Sequence, residues 1–200
     1  MKVGEKSTMR IMDCTLRDGA NVVGKGFPAD LTVLMLEGLI RSGVHLIEYG
    51  NAGGIGAYEV SNYVAPQTDK EYLALAQPYV KQAEIGMFLN AKRCLEKYIA
   101  LAAEKGLSFL RIGIDAGDAE RAVPVIQLVK KYGMKAYYSM MKAYLLSPEE
   151  LAAEGRLLQA AGVDEMTIMD SAGTMTPKVT AHYVKVLTQE VSVPVGFHGH

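Results

Sequence analysis

The residues best suited to metal chemistry lie near the two ends of the chain. Close to the start stands Thr15-Leu16-Arg17-Asp18-Gly19, and the last residues read Phe197-His198-Gly199-His200. Asp18 offers a hard carboxylate oxygen suited to Mg²⁺ or Mn²⁺. Arg17 beside it offers a guanidinium fork that can hold an oxyanion developing on a substrate. His198 and His200 are two apart, so on a strand both imidazoles point to one face. Two imidazoles and one carboxylate make a recurring divalent-metal set that leaves positions open for substrate and water. Each motif alone has a plainer explanation. An Arg–Asp pair is an ordinary loop salt bridge, and an HxH pair is an ordinary packed or surface pair.

Two further stretches carry suitable groups. Glu48, in Glu48-Tyr49-Gly50-Asn51, can orient Arg17 or the metal shell. A structural ion pair of Glu48 with Arg17 or Arg111 fits the same residues equally well. Asp170-Ser171-Ala172-Gly173-Thr174-Met175-Thr176-Pro177 sets small and hydroxyl residues ahead of a helix start, a cradle for a carboxylate or phosphate. Capping of that helix by Thr174 or Thr176 is the simpler use of the same residues. Met140 and Met141 read as core or pocket wall. His45 and His182 read as structural and surface residues.

These groups need a scaffold that brings them together, and the hydropathy pattern describes one. Short apolar runs at Met9–Asp13, His45–Tyr49, Glu84–Leu89, Phe109–Ile114, Met134–Met140, Glu165–Met169 and Pro194–His198 predict seven strands. Amphipathic stretches between them predict helices over Ala29–Ser42, Asp69–Lys81, Lys92–Lys105, Asp118–Lys131, Pro148–Ala161 and Lys178–Glu190. The strands are near-continuously apolar, as in a parallel sheet covered on both faces. No GxGxxG follows the first strand, so the dinucleotide fingerprint is missing. The rhythm is that of a TIM (β/α)8-type barrel, whose chemistry sits at the C-terminal ends of the strands. Such a barrel takes about 250 residues, so the 200 present are expected to form a single catalytic domain, 1–200, truncated after the seventh strand. His200 is the last residue, where backbone anchoring is poor. The metal is therefore expected to be weakly held or absent in this chain.

Net charge is −1 and no basic stripe is present, which argues against nucleic-acid binding. No apolar run reaches the ~20 residues of a membrane span. Cys14 and Cys94 form no CxxC pair and read as reduced, buried thiols of a cytoplasmic protein.

The order of the motifs, TLRDG at the first strand, SAGTMTP after the sixth and FHGH at the seventh, resembles the metal-dependent aldolase and lyase superfamily. That group includes hydroxymethylglutaryl-CoA lyase, isopropylmalate synthase and the 4-hydroxy-2-oxovalerate aldolases. Resemblance to the last extends to Asn62-Tyr63 through Thr68-Asp69-Lys70-Glu71-Tyr72, to Ser139-Met140-Met141 and to Leu151 through Leu157. It implies metal ligation by Asp18, His198 and His200, enolate stabilisation by Arg17, contact of Ser171 with a keto-acid carboxylate, and an organising role for Glu48. It also implies a small 2-oxo acid substrate, Mn²⁺ or Mg²⁺, and an acylating aldehyde dehydrogenase as partner; a homo-oligomer is compatible with the sequence but not read from it. The related aldolases carry a histidine, their general base, two residues after the RDG glycine. Here that catalytic position is Asn21, and an amide takes no proton at neutral pH. The implied reaction is cleavage of a 4-hydroxy-2-oxo acid to pyruvate and an aldehyde. A Claisen-type acyl-CoA synthase fits less well, because Ala20 stands where such enzymes carry a glutamate. The same residues also suit an oxaloacetate decarboxylase or, in a different class, a non-catalytic metal- or partner-binding barrel.

Overall fold

The computed structural model describes residues 9–200. One parallel sheet runs through it in the order β1 (Leu46–Glu48), β2 (Glu84–Asn90), β3 (Phe109–Asp115), β4 (Lys135–Met141), β5 (Glu165–Asp170) and β6 (Val195–Gly199). Helices return the chain between strands: α1 (Ala29–Arg41), α2 (Ala57–Val60), α3 (Asp69–Ala76), α4 (Glu96–Glu104), α5 (Val123–Lys131), α6 (Pro148–Ala160) and α7 (Pro177–Glu190). Strands that neighbour each other in sequence and in the sheet, joined by helical crossovers, are the βαβ repeat of a barrel. Both faces of the sheet are covered over its central strands, while β6 is half-exposed. In β2 every residue from Ile85 to Leu89 is buried, and β3 is buried from Phe109 to Ile114.

The sheet curls enough to bring its two edges within side-chain reach. Arg10 pairs with Glu165 on β5 at 2.6 Å and lies 3.8 Å from Glu84 on β2. At the other rim Asp18 meets His198 of β6. This curl is what makes residues from opposite ends of the chain neighbours.

The expected strand Met9–Asp13 is the main departure. Its place beside β1 is taken by a single parallel bridge, Asp13 to Ile47, and Met9–Met12 form no ladder. Asp13 N–H donates to the Leu46 carbonyl and the Asp13 carbonyl accepts from Glu48 N–H, each within 2.9 Å. Met9 and Ile11 are largely exposed, so little apolar burial supports a longer strand there. The direction and place of the segment are as expected; its regularity is not.

Helix bounds shift for local reasons. The stretch expected as a helix to Lys81 ends at Ala76, because Pro78 cannot continue the hydrogen-bond ladder. The helix expected from Lys92 is divided into a 3₁₀ turn, Ala91–Arg93, and α4 from Glu96, with Cys94 and Leu95 extended between them. The Asn90 side chain accepts from Lys92 N–H and so caps the turn at the end of β2. Similarly, a 3₁₀ turn over Ala119–Ala122 precedes α5, which carries Pro124 in its first turn. Both cysteines are free but half-buried, less enclosed than expected. No helix among the described residues is long and apolar enough to cross a membrane.

Packing between β2 and β3 leaves no room at Gly86. A β-carbon there would press on the backbone carbonyl and the ring of Phe109, which is itself fully buried. Neither group can rotate away without disturbing the ladder. Gly86→Ala is expected to destabilise the fold by about 2 kcal/mol or more, read as a lowered urea midpoint with unchanged slope.

Candidate active site

Glu48 is the last residue of β1 and Arg111 the middle of β3, and both side chains turn into the barrel interior. Glu48 is 0% and Arg111 1% exposed. Arg111 donates through Nε to Glu48 Oε1 at 2.7 Å and through Nη2 to Oε2 at 2.6 Å. Arg17 Nε donates to the same Oε2 at 2.6 Å. One carboxylate thus holds two guanidiniums. Burial pushes the Glu48 carboxyl up, but Arg111 and Arg17 outweigh it and hold the group at about 2. Of the two roles open to Glu48, it takes both ion pairs at once, and through Arg17 it sets the position of Asp18.

Arg17 Nη1 donates to Asp18 Oδ1 at 2.8 Å, and Phe88 lies under the guanidinium at 4.9 Å. Its Nη2 is shut off from solvent and has no hydrogen-bond partner. An unpaired buried donor costs about 1–3 kcal/mol.

Asp18 follows in the turn after the Asp13 bridge. Its Oδ2 lies 3.0 Å from His198 Nε2 and 3.2 Å from His200 Nε2. The hydrogen bond from His198, with Arg17 beside it, holds the Asp18 carboxyl well below the usual carboxylate range. The two imidazoles stack at 4.8 Å with 19° between their planes. One ligand atom from each of the three residues lies within 4.8 Å of the others. His200 Nδ1 faces the Asp170 carbonyl at 2.9 Å. That bond makes Nδ1 a donor and turns Nε2 towards Asp18, the ring orientation a metal-bound imidazole uses. Arg111 Nη1 faces Nδ1 of His198 at 3.4 Å, so Nε2 of that ring carries the proton shared with Asp18. A cation among the three would take the place of that proton. The donor set fits a divalent ion.

The remaining expected residues divide. Ser171 lines a cavity of about 210 Å³ together with Arg17, Asp18 and His200. Its Oγ accepts from Lys142 N–H at 3.0 Å, which leaves the hydroxyl proton free to donate into the cavity. Asn21 lies outside that lining. Its side-chain amide donates to the Asp18 carbonyl at 3.0 Å and reaches Asp18 Oδ1 at 3.4 Å. Thr176 caps α7, and Asp170 ties the preceding loop by accepting from Thr174 and Met175 N–H. His45 and His182 are exposed and away from the site. Met141 is cavity wall and Met140 is core.

From sequence, Arg111 is legible only as a possible partner of Glu48, Tyr63 only as part of a resembling stretch, and nothing singles out Arg93 and Asn90; all three of Tyr63, Asn90 and Arg93 line the cavity. For Arg111 the available signal is a guanidinium in the middle of the apolar run Phe109-Leu110-Arg111-Ile112, since such a charge persists only when paired.

The match to a family model described as HMGL-like runs over residues 8–200. The chain belongs to the HMGL-like family. Among curated relatives of this HMGL-like chain, the 4-hydroxy-2-oxovalerate aldolase of Geobacillus genomosp. 3 is 31% identical over 195 residues, 98% of the chain and 58% of that protein. The 4-hydroxy-2-oxovalerate aldolase of Carboxydothermus hydrogenoformans is 30% identical over 192 residues, 96% of the chain and 57% of that protein. The chain therefore spans less than three fifths of the length of these relatives. Among solved structures, the carboxyl transferase domain of Rhizobium etli pyruvate carboxylase with pyruvate and biocytin superposes with a TM-score of 0.78 at 16% identity, covering 98% of this chain and 36% of that one. The N-terminal domain of a candidate aldolase from Bacteroides vulgatus gives 0.69 at 23% identity, covering 96% of this chain and 64% of that one. These likenesses establish the fold as a curled, truncated TIM-type half-barrel.

The Glu48 clamp makes the acid limit of stability predictable. Its folded-state carboxyl is depressed below the ordinary 4.5 to about 2, so its stabilisation is complete above about pH 4.5 and is lost as pH falls towards 2. Glu48→Gln leaves two buried guanidiniums without their anion and is expected to cost about 3–5 kcal/mol at pH 7. Urea unfolding at pH 7 and pH 3, with chelator present, should show the gap between the two proteins narrowing at the lower pH.

Proposed function

We propose that this chain forms the barrel of a divalent-metal-dependent carbon–carbon lyase that cleaves a 4-hydroxy-2-oxo acid to pyruvate and an aldehyde. The observation that supports it best is the convergence of Asp18, His198 and His200 beside Arg17. Curated relatives that carry the name of such an aldolase across nearly the whole chain support the reaction class.

Asp18, His198 and His200 would hold the ion, Mn²⁺ or Mg²⁺. When bound, it supplies Lewis acidity at the 2-oxo oxygen. The chain's own groups do the rest. Arg17, fixed in place by Glu48, would stabilise the negative charge that grows on the substrate. Ser171 donates its free hydroxyl proton to the substrate carboxylate and fixes the 2-oxo acid end. The C3–C4 bond then breaks. Its electron pair goes to C3, giving the enolate of pyruvate, while the C4 hydroxyl loses its proton and becomes the aldehyde carbonyl. Protonation at C3 completes pyruvate. Asn21 holds Asp18 and cannot accept the C4 proton. That proton passes to water at the open mouth, where Asn21 is exposed. The aldehyde product suits hand-over to an acylating aldehyde dehydrogenase, in a homo-oligomeric, cytoplasmic assembly.

Asp18→Ala is expected to abolish both Mn²⁺ binding, followed by titration calorimetry, and Mn²⁺-dependent pyruvate release. Undiminished release in that variant would sink the proposal, and Mn²⁺ binding without any turnover by the parent would favour a binding-only barrel. Arg17→Lys keeps a charge but loses the fork. It should lower kcat by about 10²–10³-fold with less effect on KM, as measured by coupled detection of pyruvate.

A further inference from the structure

The wall of the cavity that includes Arg93 carries positive charge for which a simple aldehyde has no use. Arg93 sits in the 3₁₀ turn at the end of β2, where the break before α4 holds it at the rim, and it lines the same cavity as Arg17 and Ser171. Its Nη2 donates to the Gly53 carbonyl at 3.0 Å and its guanidinium lies over the Tyr63 ring at 5.5 Å. Lys25 places its ammonium 4.8 Å from that ring. Among the described residues neither Arg93 nor Lys25 pairs with a carboxylate, and Arg93 Nε and Nη1 have no acceptor. Their neighbours differ. Lys92 pairs with Asp118 at 2.8 Å and Lys142 with Asp115 at 3.1 Å. The rim thus neutralises two cations and leaves two others unpaired around one aromatic ring.

Asp18 is the cavity's own carboxylate, and it is engaged by Arg17 and both histidines. With a divalent ion bound, the space is strongly positive towards Arg17 and still positive towards Arg93. Its volume is about 210 Å³, and Arg17 and Arg93 both belong to its lining.

We propose that Arg93, with Lys25 behind Tyr63, is a subsite for a carboxylate at the end of the substrate remote from its 2-oxo acid group. The substrate class is then a 4-hydroxy-2-oxo dicarboxylic acid, and the product released with pyruvate is a carbonyl compound that itself carries a carboxylate. This rests on the cleavage reaction proposed above. The bond changes are the same, and the second carboxylate takes no part in them; it only orients the chain.

The test compares two substrates in the Mn²⁺-loaded protein: a 4-hydroxy-2-oxo acid ending in methyl and its analogue ending in carboxylate. The dicarboxylate should have the higher kcat/KM, by about tenfold or more, as expected for a charge-assisted contact. In Arg93→Met, which keeps the apolar stem, the ratio of the two kcat/KM values should fall by about the same factor, and Arg93→Lys should restore part of it. A preference for the methyl-ended substrate, or a ratio unmoved in Arg93→Met, overturns the subsite. Failure of the reaction itself is distinguished by a binding arm. Pyruvate and 2-oxoglutarate are titrated into parent and Arg93→Met with Mn²⁺ present. No pyruvate release from either substrate defeats the lyase assignment. The subsite still stands if 2-oxoglutarate binds more tightly than pyruvate in the parent alone, and it falls if the two bind alike.

Discussion

One fully buried carboxylate organises the interior of this barrel. Glu48 accepts from Arg17 and Arg111, and each guanidinium passes the constraint outward. Arg17 holds Asp18 and Arg111 faces His198. Removing any one member strands a charge in a medium that solvates it poorly, so the group stands or falls together. Arginine is required at both positions, because only a planar fork can engage Glu48 and still offer donors on another edge.

The clamp also explains why a site can be built from distant parts of the chain. Arg17 and Asp18 stand on a segment joined to the sheet by a single bridge, a weak attachment by backbone alone. The ion pair to Glu48 adds a buried side-chain tether to β1. On the opposite edge, β6 pairs with β5 alone among the described residues, and His200 is tied back through the Asp170 carbonyl. The site therefore bridges the two edges of the curled sheet, and a cation there would link them directly.

Much of the fold was readable from periodicity. Six apolar runs became the six strands of the sheet, and in β1 to β5 burial on both faces explains the unbroken apolar stretch. The run at Met9–Asp13 looked the same in sequence but lacks burial on its outer side. Helix ends shifted where a proline or a side-chain cap acted locally, as at Pro78 and Asn90. Arg93 was invisible as a cavity residue for that reason. A continuous helix from Lys92 would have carried it on a different course.

By itself the sequence determined the parallel βαβ rhythm, the pairing of His198 with His200 on one strand face, and the chemical kinds of ligand available. Those properties are local, set by residue type and by spacing along one element. Only the tertiary structure decided that Asp18 meets both histidines, that Glu48 serves two arginines, and that Arg93 and Lys25 stay unpaired beside the cavity. These depend on the curl of the sheet and on which charges burial forces together, and no spacing along the chain encodes a distance of three ångströms between residues 18 and 198.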